Sequence, residues 1–87
     1  MRMKFTQAAR KHKIAKGRAL HVIRNTEPVE VTDDNGNVTG FDWIGNDDRG
    51  LELHIIGIVK VDERSATGEK IALITHVFPT ALNKKGE

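Results

Sequence analysis

Eighty-seven residues, 38% of them hydrophobic, with no cysteine and a formal net charge of +2, describe a single small domain spanning 1–87. A chain of this length has no room for two independent cores, and one without thiols has neither a disulfide framework nor a cysteine-ligated metal site. No stretch approaches the ~18 apolar residues that cross a bilayer, and the basic opening runs into no signal-peptide core, so a cytoplasmic protein without membrane attachment is expected.

The small net charge hides a division along the chain. Up to Thr26 there are eight Lys and Arg, two His and no acid, whereas between Glu27 and Glu63 ten of the twelve acids stand against Arg49 and Lys60 alone. Solvated helices ordinarily mix both signs, so an acid-free front reads as an attractor for a polyanion through phosphate contacts and counterion release. A merely solvated helix surface is the plainer alternative.

Thr6 is placed as the N-cap of a first short helix, with Phe5, Ala8, Ala9 and His12 on one face. Ile14 pivots into a second helix over residues 16–24. That helix sets Ala19, Leu20 and Ile23 on its apolar face and Arg18, His21 and Arg24 on a neighbouring stripe, with Ile14 positioned as a hydrophobic staple against Ala19. Pro28 forces Glu27 out of the helical region and closes this basic helical front, 5–25.

Strands fill the region 29–79. Residues 29–32 form a short one, Asp33-Asp34-Asn35-Gly36-Asn37 a turn, residues 38–45 a strand with the only Trp, and residues 46–50 another turn. Residues 51–61 and 70–78 make the two longest strands; Pro79 stops the last, and 83–87 is a polar tail. The expected fold is α+β, two N-terminal helices packed on one face of an antiparallel β-meander of three to four strands. If the last two strands pair, their odd-numbered apolar rows share the core face: Leu51, Leu53, Ile55, Val59 and Val61 with Ile71, Leu73 and Val77. His54 and His76 then share the other face with Glu52, Ile56, Ile58, Lys60, Ile74 and Phe78, and an apolar patch of that size calls for a partner.

The residue types present suit RNA cleavage by internal attack of a 2′-hydroxyl, which needs a base, an acid and a cation for the phosphate. His54 and His76 are the candidate acid and base. Arg49, beside Asp47 and Asp48 that could hold its guanidinium, is the candidate phosphate anchor. Arg10, Lys11, His12, Lys13, Lys16 and Arg18 are the candidate RNA-binding residues. Each has a structural alternative: strand histidines ordinarily pack, Asp-Asp-Arg-Gly is ordinary turn chemistry, and His12 fits a core edge. No metal-ligand spacing, glycine-rich phosphate loop or nucleophile elbow is present, so no metal or cofactor is expected.

The run Phe5-Thr6-Gln7-Ala8-Ala9-Arg10-Lys11-His12-Lys13-Ile14 is followed by a second helix, by Trp43-Ile44-Gly45-Asn46-Asp47-Asp48-Arg49-Gly50-Leu51-Glu52-Leu53, and by His76-Val77-Phe78-Pro79-Thr80. This order resembles the small bacterial toxins of the RelE/ParE and BrnT type, over most of the chain but through short motifs. The resemblance implies helices against an antiparallel sheet and cleavage of messenger RNA, in some members only on the ribosome. It places His12 and Lys13 beside the RNA path, Arg49 at an arginine of the sheet and His76 at a polar residue ending the last strand. Members often begin with a strand, for which residues 1–4 read as too short and too basic.

The leading expectation is therefore a toxin of a toxin–antitoxin pair, a metal-independent endoribonuclease acting on mRNA. Its partners would be RNA and a cognate antitoxin, with a dimer left open. Two alternatives stand beside it. One is a non-catalytic nucleic-acid-binding or regulatory protein that uses the basic front and none of the histidines. The other is a toxin blocking a host enzyme such as gyrase through Ile56, Ile58, Ile74 and Phe78.

Overall fold

Successive side chains of a strand point to opposite faces, so the unbroken apolar runs Ile55-Ile56-Gly57-Ile58-Val59 and Ile71-Ala72-Leu73-Ile74 put apolar groups on both sides of one sheet. The computed structural model describes residues 2–10, 14–62, 64 and 66–81. Strand β1 (Arg2–Phe5) leads into a 3-10 turn (Ala8–Arg10) and helix α1 (Lys16–Asn25); β2 (Val29–Thr32), β3 (Val38–Asn46), β4 (Glu52–Val61) and β5 (Lys70–Pro79) follow. The strands lie in the order β1-β5-β4-β3-β2. Neighbours from β2 to β5 are antiparallel, and β1 runs parallel to β5.

This corrects the expected two helices on a three- to four-stranded antiparallel meander. The described residues hold one α-helix, and the sheet is five-stranded and mixed. The basic opening does form a strand, because Met3 and Phe5 alternate with Arg2 and Lys4 and so present one apolar side. Thr6 then extends that pairing: its N–H and its hydroxyl both donate to the Ile74 carbonyl, at 3.0 and 3.1 Å. A 3-10 turn follows, whose Ala9 N–H donates to Thr6 Oγ1 at 3.4 Å. The remainder of the first expected helix, Lys11, His12 and Lys13, lies outside the described residues.

Helix α1 begins after Ala15, which is extended and supplies no side-chain cap, and ends where Thr26 returns to the β region. Asn25 Nδ2 donates to the His21 carbonyl at 2.7 Å, satisfying one of the acceptors left open at a helix end. Ala19 and Val22 are buried against Trp43, Leu53, Ile55, Ile74 and Val77, while Phe5, Ile14, Ile23 and Phe41 flank that core. Ile14 and Ala19 occupy the two staple positions around the Ala15 cap. At the C-terminal end of α1, Thr26 sits on Gly45 so closely that a Cβ there would collide with its hydroxyl. Each buried Leu or Ile contributes roughly 1.5–3 kcal/mol, so this single layer of contacts carries the fold.

One irregularity reverses part of the expected sheet pattern. Ile56 pairs with His76 and the next residue, Gly57, pairs with Ile74, so Thr75 is the extra residue of a β-bulge. Beyond it the parity of β5 flips. Ala72 and Ile74 face the core, and Ile71 and Leu73, expected inside, turn to the opposite face. Ile74, expected on the open face, is fully buried.

Candidate nucleic-acid interface

The acid-free front is divided by the sheet: Arg2 and Lys4, level with Ile71 and Leu73, face away from α1, whereas Phe5, the 3-10 turn and α1 itself lie on the helix side. Phe5 closes β1, Ala9 is buried in the 3-10 turn, and Ile14 packs against the core. With Arg10, Ala15 and Lys16 they line a groove of about 320 Å³, apolar at its floor and cationic at its rim. Lys16 Nζ stands 5.4 Å from the centre of the Phe5 ring, an ammonium over an aromatic face. Arg10 is exposed on the last position of the 3-10 turn. The first turn of α1 carries no acid and two cations, Lys16 and Arg18. That is the reverse of what the helix dipole favours and leaves the positive end of the helix uncompensated by its own side chains.

Arg18 is placed differently from the other cations. Its Nε and Nη2 donate to Oδ2 of Asp47, at 2.7 and 2.6 Å, and Asp47 is buried. The other carboxylate oxygen accepts the N–H groups of Arg49 and Leu51, at 2.8 and 2.9 Å. Burial opposes ionisation of Asp47, yet the bonds from Leu51, Arg18 and Arg49 outweigh it and hold the carboxyl below its ordinary value of 3.8. Arg18 thus ties α1 to the β3–β4 turn, and its role is structural. The expected grip of the aspartates on the Arg49 guanidinium is not what forms: Asp47 binds the backbone of Arg49 and the side chain of Arg18.

The candidate catalytic residues lie elsewhere. His54 and His76 do share one face as diagonal neighbours across β4 and β5, because His54 pairs with Phe78 and Ile56 with His76. That face is the one opposite α1. His54 stacks on Phe78, ring centres 5.0 Å apart, with Nε2 3.5 Å from Asp42 Oδ2. This nitrogen is shielded from solvent and makes no hydrogen bond. His76 is exposed, with Nδ1 3.0 Å from Thr75 Oγ1. Arg49 is exposed in the turn past the ends of β3 and β4. The sheet therefore separates the imidazoles from Arg10 and Lys16.

Sequence reasoning missed Phe5, Ile14 and Ala15 as parts of a groove, and Asp42 as the neighbour of His54. The Lys16–Phe5 contact depends on β1, which the basic composition of residues 1–4 concealed. Pairing of β3 with β4 sets Asp42 beside Ile56, diagonal to His54, and that register was not read from the sequence.

Among the described residues no His, Asp and Glu side chains gather in the threes that a metal ion needs. No described helix is long and apolar enough to cross a membrane. Compared with protein-family models, with curated proteins and with solved structures, the chain matches none.

Proposed function

We propose that this chain binds RNA without cutting it, through the basic front on the helix side of the sheet. The observation that carries this reading is the groove itself, where exposed Arg10 and Lys16 rim an apolar floor of Phe5, Ala9 and Ile14. Cations at a rim take phosphates, and an aromatic or aliphatic floor suits a base whose π-face needs no particular partner. The sequence adds Lys11 and Lys13 between Arg10 and Lys16. The histidines have no part in this reading, since they stand on the far face and His54 Nε2 has no contact with solvent. The resemblance to RelE/ParE and BrnT toxins supports RNA as the target and an antitoxin as the controlling partner in the cytoplasm; the cleavage that it also implies is what the position of the histidines argues against.

Fluorescence anisotropy with a labelled single-stranded RNA tests it. Affinity is expected to fall about 50-fold between about 50 and 200 mM salt if roughly four phosphates are engaged. Arg10→Glu with Lys16→Glu should weaken binding about ten-fold or more, while His54→Ala with His76→Ala leaves it unchanged. RNA recovered intact after incubation, alone and with ribosomes, agrees with the reading. Cleavage that disappears in the histidine double variant overturns it, as does binding indifferent to Arg10 and Lys16.

A further inference from the structure

The face of the sheet opposite α1 is covered by nothing among the described residues. Ile56, Ile58, Ile71, Leu73 and Phe78 occupy its centre, each only partly buried. Seven large hydrophobic residues among those described are exposed, and three of them, Val29, Val31 and Ile44, stand on the β2–β3 side of this same face. Scattered apolar residues need no explanation, but a contiguous layer of them does.

The charges at its two ends identify the occupant. β4 is the central strand of the five, and its outward row reads Glu52, His54, Ile56, Ile58, Lys60. Ile56 is the midpoint, with the acid four residues before it and the cation four residues after. The acid is held in place, since Thr80 Oγ1 donates to Glu52 Oε1 at 2.7 Å. Lys60 is exposed at the opposite end. A two-fold axis lying over Ile56, across the strands, brings each Glu52 to the Lys60 of a second copy and each Leu73 to its Phe78, while Ile56 and, on either side of it, Asp42 and His76 meet their own counterparts. Such self-complementarity is what an isologous interface requires.

From this we infer that two copies of the chain pack sheet against sheet through this face, with Glu52 and Lys60 as reciprocal rim pairs. Facing sheets sit about 10 Å apart with their strands within about 30° of alignment, a spacing that extended Glu and Lys side chains bridge. Five strands about 4.8 Å apart and up to ten residues long present a footprint of roughly 600–800 Å². Stable interfaces bury about 800 Å² per partner, so the face is of the right size. The groove at Arg10 and Lys16 lies on the other side and stays open in such a dimer.

Sedimentation velocity on the full chain, across about two decades of concentration, tests the inference. The expected result is a monomer–dimer equilibrium. Lys60→Glu alone, or Glu52→Lys alone, should raise the dimer dissociation constant about ten-fold, as two rim attractions become two repulsions. The double variant Lys60→Glu with Glu52→Lys should restore it. Ile56→Glu should leave only monomer, and if that variant does not fold, the exposed charge swap decides alone. A wild-type chain that is monomeric throughout overturns the inference. So does a dimer indifferent to both charge reversals, which would point to pairing along the free edge of β2.

Discussion

Two aspartates in this chain do the same local work and differ in what surrounds them. Asp33 and Asp47 each open an Asp-Asp-x-Gly-x turn, in Asp33-Asp34-Asn35-Gly36-Asn37 and Asp47-Asp48-Arg49-Gly50-Leu51. Each carboxylate accepts the N–H groups two and four residues on, and each turn reaches positive φ at its glycine, +83° at Gly50. Bonds from the Asn37 and Asn35 backbones lower the Asp33 carboxyl below 3.8, as those on Asp47 lower that group. A carboxyl lowered by folding adds stability that is complete above its unfolded value and is lost as pH falls through its folded one. Only Asp47 is also buried and joined to another element, through Arg18. Asp47→Asn should therefore lower the thermal midpoint at pH 7 by several degrees, and the deficit should shrink as pH falls below 3.8. Asp33→Asn, on an exposed turn, should cost much less. Equal deficits in the two variants, or a deficit at Asp47 that grows toward acid pH, would contradict this account. Both turns were legible in the sequence from Asp and Gly chemistry; the Arg18 partner was not, because nothing local points from residue 47 to residue 18.

At the scale of elements, composition and periodicity located β2, β3, β4 and β5 and the one α-helix to within a residue of their ends, although the helix face expected as Ala19, Leu20 and Ile23 is Ala19 and Val22 with Ile23 beside them. Two features escaped. β1 offers four residues, two of them cationic, and becomes a strand only because β5 supplies an edge for it. The bulge at Thr75 leaves no mark in the composition of β5, yet it inverts which of Ile71, Ala72, Leu73 and Ile74 face the core. The candidate site was obscured by the same logic, since alternation sends neighbours in sequence to opposite faces and charge counted along the chain does not show which side it reaches. Thr75 keeps the bulge anchored: its hydroxyl donates to the Ile56 carbonyl at 3.3 Å. Thr75→Val keeps the shape and removes this bond together with the contact to His76 Nδ1, and urea unfolding should show a loss of about 0.5–1.5 kcal/mol. Thr39→Val, which removes a 3.2 Å bond to the Val31 carbonyl at an exposed site, is the control and should lose less.

Across the whole molecule the sheet is a partition with one filled side. Trp43, Leu53, Ile55, Ile74 and Val77 meet α1 on that side, and Ile44, Ile56, Ile58 and Leu73 face outward on the other. Stability of the isolated chain must then come almost wholly from the filled side, and at roughly 0.05–0.15 kcal/mol per residue there is little to spare. Truncation of two isoleucines, one on each side of adjacent strands, measures the asymmetry. Ile55, fully buried, should lose about 2–5 kcal/mol on substitution by Ala. Ile44, 50% exposed, should lose no more than about 0.5 kcal/mol when the protein is dilute. Trp43, the only tryptophan and itself buried, reports both through its fluorescence in urea. Association through the outer face makes the two sides converge, because a partner that binds only the folded chain adds to its stability by mass action. The cost of Ile44→Ala should therefore rise with protein concentration while that of Ile55→Ala, set inside one copy, stays nearly constant. Equal costs at low concentration would mean that the outer face is already packed within a single chain, and the partition would be wrong.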